Sequence, residues 1–279
     1  MRFSIAVPSF NHARWLDANL DSLARQDHRD FEVLIADGGS TDGSLECIAK
    51  RVAADTRFRL VSTSDDGQAD AIRRAFAQAT GDALGFLNSD DCYIADDVLS
   101  SVARVLDTHP DAGLVSFTGR YLDADGRDTG PVKLRYHPLD SLANLRWRSS
   151  VLQPATFWRR SVWEAIGFDA SFHYCFDALF FWEAWRRFGW IEDPKPVAGY
   201  RLHGANKSAG VRAVRIRELA RFERIKFGRG SARARLLDAV AALVERADRW
   251  PVHGARVKRL TYLAINSLAF ATAYRTPSI

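Results

Sequence analysis

The sequence predicts an α/β protein, a mostly parallel sheet flanked by helices with a helical C-terminal extension, and three observations carry that expectation. Apolar runs of strand length at residues 2–7, 31–36, 57–62 and 82–87 alternate with amphipathic stretches of helical period. Such alternation builds βαβ units with parallel strands. Two of the runs end at aspartates, one directly at Asp37 and one through Asn88-Ser89-Asp90-Asp91. From Val211 onward the pattern is helical and basic, with 15 Lys/Arg against 5 Asp/Glu, whereas residues 1–210 hold 24 against 29.

In chain order, residues 2–7 form the first strand, closed by Pro8. Ser9-Phe10-Asn11 is a turn with Asn11 as N-cap. Trp15, Leu16, Leu20 and Leu23 then give a helix over 12–26 its apolar stripe. Residues 31–36 are the second strand, Gly38-Gly39-Ser40-Thr41-Asp42-Gly43 a flexible polar turn, and a helix begins near Ser44. A third strand at 57–62 and a helix at 68–80, stopped by Gly81, lead into the strand at 82–87. A helix at 96–108 precedes Pro110, strands follow at 113–118 and 120–122, and Asp123-Ala124-Asp125-Gly126 makes a hairpin turn. Residues 153–158 are extended, 160–166 form a short helix broken by Gly167-Phe168-Asp169, 177–188 an aromatic-rich helix, and 197–203 a strand. Helices then continue, interrupted near Gly228-Arg229-Gly230 and Trp250-Pro251. The expected division is 1–92 and 93–210 as two halves of one α/β domain, and 211–279 as the basic extension.

The 279 residues suffice for a substantial core, and the net charge is +5. Cys47, Cys92 and Cys175 match neither a zinc spacing nor a disulfide framework, which points to a reducing, cytoplasmic setting. The first apolar run is too short for a signal peptide, and no stretch has membrane-spanning length. An acidic body argues against nucleic acid as a partner. The basic extension faces something anionic, such as a membrane surface, or is a solvated face, or packs on the α/β domain or on a second subunit of a homodimer. Its apolar stripe is Leu236, Val240, Leu243 and Val244.

Adjacent carboxylates cannot sit inside a buried strand, so Asp90 and Asp91 belong at its carboxyl end, where open α/β sheets bind ligands. Two such carboxylates call for a neighbouring positive charge, and hard divalent cations take oxygen ligands. The alternatives are a helix cap or a solvated turn. Asp37, closing a strand before a Gly-rich turn, can accept from a nucleobase or ribose, or can cap its own turn. No GxGxxG or GxxxxGK[ST] pattern is present. Asp177 follows Phe172-His173-Tyr174-Cys175-Phe176 and is either a plain N-cap or a general base in an apolar wall, and Glu183 points elsewhere on that helix. Arg201-Leu202-His203-Gly204-Ala205-Asn206-Lys207-Ser208 offers a phosphate or metal clamp. His12, His28, His109, His137, His173 and His253 have no comparable setting.

With these motifs in place, the chain over residues 2–208 resembles the family 2 inverting glycosyltransferases of GT-A fold. Val7-Pro8-Ser9-Phe10-Asn11 is similar to that family's opening turn, and Asp37-Gly38-Gly39-Ser40-Thr41-Asp42-Gly43 to its nucleotide-binding aspartate and turn. Asn88-Ser89-Asp90-Asp91 stands at its metal motif, with Asn88 in place of the first aspartate. Gln153-Pro154-Ala155-Thr156-Phe157, Gly167-Phe168-Asp169, Asp177 and Arg201-x-His203 follow in family order. The resemblance implies that Asp90 and His203 hold Mg²⁺ or Mn²⁺. It implies that Pro8, Ser9, Asn11, Asp37, Gly39, Asp70, Asn88, Ser89, Asp91, Arg201 and Lys207 bind the nucleotide-sugar, and that Asp177 deprotonates the acceptor. The implied donor is a nucleoside-diphosphate sugar, UDP-sugar favoured. The implied acceptor is a saccharide or lipid-linked hydroxyl in surface polysaccharide or glycolipid synthesis, with residues 211–279 peripheral on the inner face of the plasma membrane. The competing readings are a nucleotidyltransferase and a non-catalytic sugar-nucleotide-binding protein. The former wants a Gly- and Lys-bearing loop where Pro8-Ser9-Phe10-Asn11-His12 stands, and the latter is favoured by Asn88.

Overall fold

The structure, a computed structural model, describes residues 1–132, 151–204 and 213–248. The four predicted strands form the parallel half of the sheet: β1 (Phe3–Ser9), β2 (Phe31–Asp37), β3 (Phe58–Ser62) and β4 (Ala83–Phe86). β1 lies between β2 and β4, paired from Phe3↔Phe31 to Ser9↔Asp37 on one side and from Phe3↔Ala83 to Ala6↔Phe86 on the other. The crossovers are α1 (Ala13–Ala24), α2 (Ser44–Ala54) and α3 (Gln68–Phe76). β1 and β2 are buried along their whole length, as strands covered on both faces must be.

The second half is mixed. It contains β5 (Cys92–Tyr93), α4 (Val98–Thr108), β6 (Ala112–Leu122), β7 (Asp128–Pro131), β8 (Thr156–Arg159), α5 (Arg160–Ile166), α6 (Phe176–Arg187) and β9 (Gly189–Arg201). The strand order is β3-β2-β1-β4-β8-β6-β9-β5, with β7 hairpinned onto β6. β8 runs antiparallel to both β4 and β6, and β9 parallel to β6. The two short strands expected over 113–122 are one continuous β6, and the last core strand begins at Gly189 rather than near 197. The hairpin turn lies where predicted, with Gly126 N–H donating to Asp123 O at 3.0 Å. Trp158, fully buried, meets the rings of Phe76, Phe86, Phe180 and Phe181, so the aromatics of this region form core.

The described residues fall into two compact units, 1–132, 151–171 and 180–203 in one, and 172–179, 204 and 213–248 in the other. The second holds α7 (Ala213–Phe227), α8 (Ala232–Asp248) and the first residues of α6. Ala213, Ile216 and Ala220 of α7 pack with Ala234, Leu237, Ala241 and Val244 of α8. The stripe read from sequence therefore divides: Val244 is buried, Val240 partly so, and Leu236 and Leu243 are exposed. At 100° per residue, 237, 241 and 244 sit on one flank of α8 and 236 and 243 on the next. Among the described residues no helix is long and apolar enough to cross a membrane.

One buried charge ties the amino ends of the parallel strands together. Glu32 of β2 accepts from Ser4 Oγ at 2.7 Å, from Thr80 N–H and Oγ1 at 2.6 and 2.7 Å, and from Arg59 Nη2 at 2.9 Å. Burial pushes its carboxyl up, but the donors of Ser4, Thr80 and Arg59 outweigh that and hold it low. Thr80 is thereby drawn out of the helix, which ends at Phe76 instead of running to residue 80. Gly81 follows because a Cβ there would stand 2.5 Å from Phe3 C and Ser4 N. Glu32→Ala strands these donors and is expected to lower unfolding free energy by roughly 3 kcal/mol in urea titrations at neutral pH. A loss within experimental error would show that the network is not needed.

Candidate active site

The carboxyl ends of β1, β2 and β4 carry loops that are stitched to one another. Asp37 is fully buried; its Oδ1 accepts from Gly39 N–H at 3.0 Å and Ser40 N–H at 2.7 Å, and its Oδ2 from Ser40 Oγ at 2.7 Å. It caps its own turn. Gly39 sits at φ +89°, a conformation that glycine adopts without strain. Ser40 Oγ accepts Asn11 N–H at 2.8 Å, and Asn11 Oδ1 accepts Thr41 N–H at 2.9 Å. Asn11 is thus a bridge to the β2 loop at φ 54°, while the N-cap position of α1 is taken by His12. The first N–H groups are satisfied from outside: His12 N–H by Ser44 Oγ and Ala13 N–H by Asp42 Oδ2. Pro8 pairs with Ala36 in the sheet, and the buried Ser9 hydroxyl has no partner among the described residues.

The acidic turn after β4 is held from four directions. Asn19 of α1 donates from Nδ2 to Asn88 O and Asp91 O, both at 2.9 Å. Asn88 Oδ1 accepts from Gln68 Nε2 at 2.6 Å, and its Nδ2 donates to Gln153 Oε1 at 3.1 Å. Arg201, at the end of β9 and only 3% exposed, donates its N–H to Asp91 Oδ1 at 2.8 Å and its Nε to Asp90 O at 2.7 Å. Its Nη1 reaches Asp123 O, so this guanidinium buttresses the acidic turn. Arg201 also lines a cavity of about 570 Å³ with Arg14, Trp15, Arg25 and Cys92. Asp91 is 1% exposed, and burial, with the charge of Asp90 beside it, pushes its carboxyl well above the usual range.

Asp90 is the acid that meets another functional side chain. Its Oδ2 lies 3.0 Å from His203 Nε2, and the His203 side chain is 4% exposed. Trp15 stacks on that imidazole, centroids 4.0 Å apart at 25°, and is itself fixed by Nε1 donating to Ala124 O at 2.9 Å. His12 completes the cluster: its ring stands 6.1 Å from His203 and 5.5 Å from Trp15, and its Nδ1 is 2.8 Å from Ser89 Oγ. His12, without a setting in the sequence, is therefore central. It lies in the loop directly after β1, on the edge to which the acidic turn belongs, and that placement was the available signal. Hydrogen bonds join Asp37 to Ser40 and Ser40 to Asn11, and the next residue along the chain, His12, bonds Ser89.

Asp70, in the first turn of α3, pairs with Arg74 at 2.6 Å and Arg73 at 3.6 Å. Burial pushes its carboxyl up, but Arg74, the Asp66 N–H and Arg73 together outweigh this and hold it low. Asp177 belongs to the second unit, half-buried in the first turn of α6, with Oδ1 accepting Ala178 N–H at 2.7 Å. Lys207 lies outside the described residues. Asp65 escaped the sequence reading: its Oδ2 would be 3.1 Å from a Cβ at Gly38, and burial, with Asp70 and Asp37 adding, raises its carboxyl. It too follows a parallel strand, β3.

For a divalent cation the donors are few. Among the described residues no group of three His, Cys, Asp or Glu could hold one. Asp90 and His203 supply an oxygen and a nitrogen donor side by side. Mg²⁺ and Mn²⁺ are commonly bound through one or two side chains with substrate phosphates completing the shell. The donor set therefore fits a cation that arrives with a diphosphate and not a free-standing metal site.

The profile of glycosyl transferase family 2 matches residues 4–167, more than half of the chain. The chain belongs to that family. This family 2 member is 37% identical over 167 residues to a PGL/p-HBAD biosynthesis glycosyltransferase of Mycobacterium tuberculosis, a stretch covering 59% of this chain and 62% of that relative. It is 34% identical over 112 residues to the poly(ribitol-phosphate) beta-N-acetylglucosaminyltransferase TarS of Staphylococcus aureus, 39% of this chain and 19% of TarS. In three dimensions it is similar to S. aureus TarS 1-349 in complex with UDP-GlcNAc, with TM-score 0.66 and 18% identity over 99% of this chain and 93% of that one. It is also similar to the mannosyltransferase PcManGT of Pyrobaculum calidifontis in complex with GDP-Man and Mn²⁺, with TM-score 0.61 and 20% identity over 100% and 76%. At these identities the likeness speaks for the fold, which is of the GT-A kind.

Burial pushes the His12 imidazole below its ordinary 6.5 and His203 adds to that, while Asp90 pulls the other way. The folded chain thus binds this proton less readily than the unfolded chain. Stability is full above 6.5 and declines as pH falls through the window just below it, where only the unfolded imidazole is protonated. Denaturation curves over this window should show a steeper loss for the native protein than for His12→Gln; parallel profiles would exclude the effect.

Proposed function

We propose that this family 2 protein moves a sugar from a nucleoside-diphosphate sugar, UDP-sugar favoured, to an acceptor hydroxyl with inversion at the sugar C1. The observation that carries the reading is the Asp90–His203 pair on a rigid turn at the carboxyl edge of the parallel strands. The family membership and the likeness to TarS and PcManGT support it. The mycobacterial and staphylococcal relatives, named for glycolipid and poly(ribitol-phosphate) chemistry, support a saccharide or lipid-linked acceptor. Three free cysteines support a cytoplasmic setting.

In this reading the loops holding Pro8, Ser9, Asn11, Asp37 and Gly39 receive the base and ribose, with Asp65 over Gly38 at their rim. Ser89 and Asn88 line the way to the sugar. Asp90 and His203 would hold Mg²⁺ or Mn²⁺ beside the donor diphosphate, and the ion would supply positive charge for the departing nucleoside diphosphate. Asp91 keeps the turn's shape from within. Asp177 takes the proton of the acceptor hydroxyl as its oxygen bonds to C1 on the face opposite the leaving group. The C1–O electron pair leaves with the nucleoside diphosphate, and a single displacement inverts the configuration.

A screen of UDP- and GDP-sugars with Mn²⁺ tests the activity. Release of nucleoside diphosphate is the expected result. Pyrophosphate chemistry would mark a nucleotidyltransferase, and binding without turnover a non-catalytic binder. Asp90→Ala should abolish Mn²⁺-dependent donor binding in calorimetry, and unchanged binding would remove Asp90 from the metal role. Asp177→Asn should keep donor binding and lower turnover about 10²–10⁴-fold; turnover near that of the native protein would exclude Asp177 as the base.

A further inference from the structure

One buried acid of the basic extension has an uncommon set of partners. Glu218, in α7, is 7% exposed. Its Oε1 accepts His173 N–H at 2.7 Å, and its Oε2 accepts Tyr174 N–H at 2.7 Å and Cys175 N–H at 3.0 Å. Three consecutive peptide groups thus converge on one carboxylate. They immediately precede α6, whose second residue is Asp177. The Cys175 carbonyl accepts Leu179 N–H at 3.0 Å, so the clamped segment itself starts the α6 ladder. One turn further along α7, the Arg221 guanidinium lies 4.3 Å from the centre of the buried Phe172 ring. Glu218 and Arg221, three residues apart, share a helix face. That face grips residues 172–175 by charge-assisted hydrogen bonds and a cation–π contact.

A buried carboxylate is costly unless its oxygens are met, and peptide N–H groups meet it with a direction that an alkyl contact lacks. We propose that Glu218 is a positioning residue for sugar transfer. It fixes the peptide planes of residues 173–175 and thereby the first turn of α6 from which Asp177 projects. The proposal rests on Asp177 being the base. A base displaced by about 1 Å loses on the order of 10²-fold in rate, while donor binding, which does not use it, is unaffected. The extension then serves proton transfer, a role independent of any surface it meets.

The test uses the full chain with Glu218→Ala and the milder Glu218→Gln, which keeps the shape but turns one acceptor oxygen into a donor facing peptide N–H groups. Hydrogen exchange should quicken at the amides of His173, Tyr174 and Cys175 and stay slow in β1, β2 and β4. Transfer kcat should fall about 10–10²-fold, with donor KM and the slow hydrolysis of donor by water within twofold of the native protein. Retained protection at 173–175 overturns the clamp. Quickened exchange with native kcat overturns its link to transfer, and a matched fall of transfer, hydrolysis and donor affinity in both variants reduces Glu218 to a folding role. A native protein silent with every donor overturns the functional reading, while the exchange measurement still decides the clamp.

Discussion

Two adjacent carboxylates at the end of a buried strand are the constraint to which the rest of the first unit answers. Asp91 is sealed from water and Asp90 nearly so. A bare pair would repel and pay for desolvation, so the chain surrounds it with donors. Asn19 holds both carbonyls flanking the turn, the Arg201 peptide N–H holds one carboxylate, and its guanidinium holds the Asp90 carbonyl. These donors come from two elements, α1 and the end of β9. The arrangement leaves one carboxylate, that of Asp90, turned to an imidazole, and makes its neighbour a strut. Two adjacent carboxylates in sequence thus have different surroundings in space, one facing His203 and the other held within the turn by the Arg201 peptide.

Much of the parallel half was legible because its signals are local. Apolar runs ending at Asp37 and at Asn88-Ser89-Asp90-Asp91 mark strands and their carboxyl ends, and the Asp123–Gly126 turn lies where its residues demand. The direction of β8 was not legible. Thr156–Arg159 is too short to carry a directional signal, and it is inserted antiparallel between β4 and β6 by packing around Trp158. Asp37 was readable as important, but whether its oxygens face a ligand or their own turn depends on the Ser40 hydroxyl, which no periodicity encodes. His12 was invisible as one histidine among several until the fold brought Ser89, Trp15 and His203 around it. Glu218 was hidden by its surroundings: a tally of charge over a basic segment counts it as one acid outvoted, although its position matters more than its sign.

Asn88 takes a different meaning from its surroundings. Both ends of its amide are occupied, the oxygen by Gln68 and the nitrogen by Gln153, and Gln153 is in turn anchored to Phe86 O. Asp91 Oδ2 lies 3.5 Å from the same nitrogen. An aspartate at 88 would face another acid and lose a donor, so the departure from the family's metal motif is matched by two glutamines that only an amide can satisfy simultaneously. The missing negative charge is thus part of a neutral relay across three elements.

The hairpin turn after β6 looks like the freest stretch of the first unit, yet it is not. Gly126 sits at φ +86°, and a Cβ there would lie 3.2 Å from Arg201 Nη1. The guanidinium that steadies the acidic turn therefore rests against bare backbone at a surface loop. A methyl group added at this tip would press on a side chain whose Nε grips the Asp90 carbonyl, so drift in the loop is inherited by the acidic turn. Sequence change that seems permitted by exposure is forbidden here by leverage.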